Sequence, residues 1–153
     1  MEIVREMRQT SLSRYDVGCA LFDGFRRWGR LAERNLSAVG LGLAELRVLV
    51  MLAGVGPCSM VTLAKEQEMT APGMTIVVDK LEEVGLARRV RSDADRRTIN
   101  VAITGKGGET LRRARKLHDR FVERCVHDAS SQEIESFLVF LNRMVVAAEG
   151  FER

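Results

Sequence analysis

The sequence predicts a mainly α fold with a small β-wing, in which short helices and one hairpin lie between long terminal helices. Three observations carry this prediction. Apolar residues recur at three- and four-residue spacing through most of the chain, which is a helical period. One run, from Ile99 to Ile103, alternates apolar and polar residues instead. Glycine and proline at Gly40, Gly54, Gly56, Pro57 and Gly85 cut the middle of the chain into short pieces. At 153 residues the length favours about one domain, large enough to bury a core without staples.

Residues 11–40 place Val17, Leu21, Phe25, Trp28 and Leu31 on one helical stripe. Ser13 followed by Asp16 starts this helix as a capping box, and Gly40 with Gly42 marks its exit. The very apolar run "LAELRVLVML" should form a short helix buried on most sides, closed by the turn "GVGPCS" that contains Cys58. Ser59 caps the next helix, "SMVTLAKEQ". Thr70 caps the one after it, with Pro72 in the first turn, where its missing N–H does no harm. The buried stripe there is Met74, Val77, Val78, Leu81 and Val84, and Gly85 stops the helix.

"LARRVRS" then leads into a turn at Asp93, Ala94 and Asp95, and "RTINVAIT" returns with Ile99, Val101 and Ile103 on one buried face. Thr104 caps a long helix whose stripe is Leu111, Ala114, Leu117, Phe121, Val122 and Cys125. Ser130 and Glu133 form a second capping box. The last helix repeats apolar residues at Ile134, Phe137, Leu138, Leu141, Val145 and Ala148. Two short helices joined by a turn and followed by a hairpin make a winged helix-turn-helix, here over residues 43–105. Residues 13–40 and 108–150 form a helical dimerisation region, because their stripes need cover that a second copy would supply. No linker separates the two regions.

Composition narrows the function. A net charge of +3 is compatible with nucleic acid but does not argue for it unaided, so local clustering has to. Three cysteines, far apart and odd in number, point to a reducing compartment rather than a disulfide framework. No apolar run approaches the roughly 18 residues of a membrane span, and the charged N-terminus is not a secretory signal. The chain reads as cytoplasmic. GxxxxGK[ST], HExxH and GxSxG are all missing, which removes the common enzyme readings, and no cofactor is implied. Neither Cys125 with His127 nor His118 with Cys125 has the spacing to share a metal, and both histidines read as solvent-facing.

The stretch "DKLEEVGLARRVRSDADRRTINVAITGKG" resembles the MarR (multiple antibiotic resistance regulator) family of dimeric transcription factors. The resemblance lies in Leu81, in Gly85 and Leu86 entering the wing, in Asp95 with Arg97 at its tip, and in Ile103, Thr104 and Gly107 closing it. It implies a homodimer that binds palindromic promoter DNA and is released by a small aromatic effector or by cysteine oxidation. Two departures matter. Ile76 stands where the family often carries arginine, and Gly73 where a small polar residue is common.

Five arginines and two aspartates fall within ten residues at the wing. Asp95 and Arg97, two apart in an extended tip, can pair and hold its shape while Arg96 projects elsewhere. Such a tip places a guanidinium in a narrow minor groove, and Arg88, Arg89 and Arg91 meet flanking phosphates. The recognition helix exposes Ala71, Gly73, Thr75, Ile76, Asp79 and Lys80, with Thr70 and Pro72 at its start. Ile76 or Ala71 can touch a thymine methyl, yet the first two turns hold no Asn, Gln or Arg, so specificity should lean on the wing and on DNA shape.

Phe25 and Trp28 are the candidate walls of an effector pocket, or else core or interface residues. Cys19 is the candidate redox residue, although its neighbours Asp16 and Asp23 disfavour a thiolate and a small buried role fits better. The competing function is a winged-helix module that binds protein and not DNA.

Overall fold

The computed structural model describes residues 13–91 and 99–150. Most helix starts are set locally. Ser13 caps α1 (Arg14–Ser37), accepting from the Asp16 N–H at 3.2 Å while the Asp16 carboxylate accepts the Ser13 N–H. Ser59 caps α3 (Met60–Glu66), Thr70 caps α4 (Ala71–Glu83), and Ser130 caps α6 (Ser131–Glu149) in a second reciprocal box with Glu133. Each side-chain oxygen satisfies one of the N–H groups that a helix start leaves unpaired. At the start of α2 (Leu43–Val55) a carboxylate takes over, because Gly42 has no side chain; its N–H donates to Glu45 Oε2 at 2.9 Å.

The end of α4 sets the direction of the wing. Gly85 has φ +71°, a left-handed conformation that costs a residue without Cβ least. Its N–H donates to the Glu82 carbonyl at 2.9 Å, and the Leu86 N–H reaches back to Leu81 O at 2.8 Å. This Schellman ending turns the chain straight into β2 (Ala87–Arg91), which pairs antiparallel with β3 (Ile99–Ile103). A third strand, β1 (Cys58–Ser59), pairs antiparallel with β3 through Val101 and Asn100, giving the order β1-β3-β2. The turn expected around Cys58 is therefore partly strand. Two residues after a proline carry no alternation that would reveal this.

The core lies where α2, α3, α4 and the sheet meet, and its fully buried members include Leu49, Leu52, Leu63, Met74, Leu81 and Val101. Two expected core positions fall outside it, and one helix is covered less fully than expected. Val84 is exposed because it caps α4 beyond the last packed turn. Ile99 is 54% exposed opposite Arg91, at the outer end of the ladder where the hairpin has left the body. The helix α2 is buried over Glu45, Leu46, Val48, Leu49 and Leu52, while Val50 and Val55 meet solvent, so it is covered on one broad side rather than most.

The chain divides into two compact units between His118 and Asp119, within α5 (Gly105–Cys125). In the first unit, α1 buries only Ala32 and Leu36, and Val17, Phe25, Trp28 and Leu31 of its stripe are exposed to varying degrees. Leu111 and Ala114 of α5 are buried, whereas Cys125 is exposed. In the second unit α6 has no buried residue at all. No described helix is long and apolar enough to cross a membrane.

Candidate nucleic-acid interface

The helix pair α3–α4 packs against itself and onto the sheet, so that α4 turns Met74, Val77, Val78 and Leu81 inward. Its opposite side exposes Ala71, Pro72, Thr75, Ile76, Asp79 and Lys80. Gly73, expected on this side, is half-buried beside Thr70 and Met69; a Cβ there would meet Thr70 Oγ1 at 3.1 Å and Met69 Cε at 3.5 Å. The Thr70 hydroxyl oxygen accepts the Gly73 N–H at 3.3 Å.

The polar groups on this side are already engaged. Thr75 Oγ1 donates to the Ala71 carbonyl at 3.0 Å. Lys80 Nζ donates to Glu45 Oε1, joining α4 to α2. Asp79 Oδ1 accepts from Arg89 Nη2 at 2.8 Å. Arg89 also donates its backbone N–H to Glu82 Oε1 at 2.6 Å and its Nη1 to Glu82 Oε2. One arginine of β2 thus clasps two carboxylates of α4 and fixes the wing's root to the helix. The Asp79 bond and the two nearby negative charges outweigh burial and hold the Arg89 guanidinium above its ordinary proton affinity.

Arg88 and Arg91 are exposed on the same strand and make no ion pair with any described residue. The structure therefore sets Arg89 against α4 in the clasp, and leaves Arg88 and Arg91 exposed on the strand, with Arg88 on the face opposite the other two. Asp95, Arg96 and Arg97 lie outside the described residues. The sequence reading missed the Arg89 clasp and the Glu45–Lys80 bridge. The pairs are 7 to 35 residues apart and cross turns, where no periodic signal operates; Glu45 three residues past Gly42 is the one local clue.

Burial of Glu45 opposes its ionisation. The Lys80 bond and charge, with the Gly42 N–H, overcome this and leave its pKa below the ordinary 4.5. Lys80 is correspondingly raised above 10.5, chiefly by its bond to Glu45. A lowered carboxylate stabilises the fold above pH 4.5 and loses that contribution as pH falls through its folded value. A raised ammonium contributes below pH 10.5 and loses its part as pH rises further. Glu45→Gln should therefore cost about 1 kcal/mol near neutrality, modest because Lys80 is more than half exposed. Urea melts of both proteins should show this gap between pH 5 and 10 and see it close in stronger acid; a gap constant down to pH 3 would remove the ion pair as its cause.

The other candidates are dispersed. Cys19 is exposed rather than buried, because α1 buries only Ala32 and Leu36, near its other end, among the described residues. Cys58 is half-buried, and burial pushes its thiol pKa up. Phe25 and Trp28 are neither of them core residues. His118 is half-buried rather than solvent-facing, its ring edge-on to Trp28 with centroids 6.3 Å apart. His127 is exposed.

Comparison with known proteins gives a consistent outcome. The model of the MarR family matches residues 39–98. The HTH-type transcriptional regulator MhqR of Bacillus subtilis is 30% identical over 119 residues, covering 78% of this chain and 82% of that protein. The crystal structure of the transcriptional regulator BldR from Sulfolobus solfataricus superposes with a TM-score of 0.73 at 28% identity, covering 89% of this chain and 99% of that one. A mutant MarR from E. coli, crystallised with operator DNA, shares the fold with a TM-score of 0.76 at 19% identity, covering 84% of this chain and 92% of its own.

Proposed function

We propose, for a chain that belongs to the MarR family of HTH-type transcriptional regulators, that it acts as a homodimeric repressor of a palindromic promoter site and is released by a small aromatic effector. Family membership makes it a DNA-binding transcriptional regulator and not an enzyme. The observation that carries the finer reading is the exposed side of α4 beside a strand whose Arg88 and Arg91 have no described ion partner. In a dimer the two α4 helices enter successive major grooves about 34 Å apart, and the wings lie in the flanking minor grooves.

Arg88 and Arg91 are assigned to phosphates, while Arg89 positions the strand that carries them. Asp95, Arg96 and Arg97 are assigned to the minor-groove tip on the sequence pattern alone. The open N-terminus of α4, where Thr70 keeps its hydroxyl hydrogen, faces a phosphate. Phe25 and Trp28 on α1 are the aromatic walls offered to an effector. The exposed Cys19 supports a second mode of release, by oxidation. A cytoplasmic location follows from the work assigned.

Fluorescence anisotropy of labelled DNA from the gene's own upstream region, against an unrelated fragment at two salt concentrations, tests this reading. Selective binding that weakens steeply with salt is the expected result. Arg91→Ala removes one phosphate contact from each subunit, so the log–log salt slope should fall by about 2. Adding a phenolic acid or peroxide to the complex separates the two release modes. Equal, salt-insensitive binding to both fragments would reject a sequence-specific regulator.

A further inference from the structure

We infer that α4 reads thymine through its 5-methyl group, using an apolar edge made by Pro72 and Ile76 with Ala71 beside it. The inference rests on the DNA-binding reading and adds the chemistry of the base it selects. Pro72 and Ile76 are one helical turn apart and so lie on one side of α4. All three residues are exposed, Ile76 at 69%. A β-branched aliphatic side chain held in water, on a helix that buries Met74, Val77, Val78 and Leu81, has no role within the protomer's core.

The polar groups around it narrow what that edge can read. In the major groove guanine offers two acceptors and needs a donor opposite. The Thr75 hydroxyl donates to Ala71 O, Lys80 is bound to Glu45, and Arg89 is bound to Asp79 and Glu82. Asp79, the carboxylate that would accept from cytosine, is held by that same arginine. Apart from the Thr75 hydroxyl oxygen, which donates its hydrogen to Ala71 O and cannot donate to guanine, what the first two turns expose is carbon, and the base edge that carries carbon is thymine. Selection therefore acts by burying methyl groups on Ile76 and Pro72, and by leaving the acceptors of guanine unanswered. This adds a term from α4 to whatever the wing and DNA shape contribute.

The test begins with selection of bound duplexes from a random-sequence pool by the full-length protein. Each thymine of the selected duplex is then replaced by deoxyuridine, which removes the methyl and keeps the base pair. At one or two positions of each half-site the replacement should weaken binding about fourfold, the value of one buried methyl-sized group. Replacing both symmetry-related positions should weaken it about 15-fold. In Ile76→Ala the same replacements should cost clearly less, about twofold or under, because only Pro72 and Ala71 remain to cover the methyl, while an unchanged thermal melt shows the fold intact.

If no deoxyuridine duplex is weakened, or Ile76→Ala keeps the same penalties, methyl reading by α4 is overturned and shape or wing readout stands in its place. If selection enriches no duplex at all, the sequence-specific regulator reading falls with it.

Discussion

Gly107→Ala is expected to destabilise the protein by about 3 kcal/mol, although alanine is the better helix former. Gly107 is buried in the first turn of α5, and an added Cβ would run into the Leu86 carbonyl oxygen. It would also stand 2.8 Å from Ile103 Cγ1 and 3.0 Å from the Leu86 carbonyl carbon. Backbone cannot rotate aside as a flexible side chain does, so the helix or the strand has to move.

That movement disturbs a junction. Leu86 O accepts the Thr104 N–H at 3.1 Å, and Thr104 Oγ1 donates to Gly85 O at 2.8 Å while accepting the Gly107 N–H at 3.0 Å. Overpacking against backbone costs about 3 kcal/mol, the top of the usual range, and loss of one of these bonds about 1 more. The gain in helix propensity returns roughly 1. Thermal denaturation should show a midpoint about 6–12 °C lower.

Gly108→Ala is the matched control, since a Cβ there meets nothing within 4 Å. It should leave the midpoint unchanged or raise it slightly. Equal effects at the two positions would show that helix propensity, and not the approach of α5 to Leu86, governs this turn. The same displacement reaches Gly85 and β2, so Gly107→Ala should also weaken DNA binding beyond what its melt accounts for.

Features that depend on neighbours in sequence were legible, and features that depend on distant partners were not. Ser13, Ser59, Thr70 and Ser130 cap the helices they were expected to cap, because a cap bond closes within three residues. The family's spacing around Gly85, Thr104 and Gly107 could be read for a similar reason: a left-handed turn and a close backbone approach admit few residue types. Strand β1 and the exposure of Ile99 depend on where the hairpin meets the body, which periodicity does not encode.

At the candidate interface the inventory of arginines was legible but their commitments were not. Arg88, Arg89 and Arg91 look alike in sequence, yet the Schellman turn swings β2 back along α4 and puts only Arg89 against Asp79 and Glu82. The helices expected to carry apolar stripes, α1 and α6, form where the periodicity placed them. In the single chain they nevertheless remain largely uncovered, and Cys19 is exposed along with them.

That uncovered surface leads to the second large effect. Leu138→Glu with Val145→Glu in α6 should convert a dimer of twice 17.1 kDa into a monomer, read by analytical ultracentrifugation. Both side chains lie on the predicted stripe and are 56% and 48% exposed in the chain, so glutamates there meet water and the winged part, whose core holds neither residue, should stay folded. In a dimer the same glutamates would be buried without partners, at a cost of several kcal/mol that an apolar interface cannot recover. An amphipathic helix of 19 residues with no buried side chain has little reason to be ordered alone, because helical stability comes chiefly from packing an apolar face. Separated subunits lose the gain from engaging two half-sites at once, so DNA affinity should fall about 100-fold or more. The decisive contrast is between the two readouts. A wild-type protein sedimenting at 17.1 kDa would sink the homodimer. A variant that remains dimeric would move the interface away from α6, and a monomeric variant with undiminished affinity would make the single winged unit sufficient for DNA.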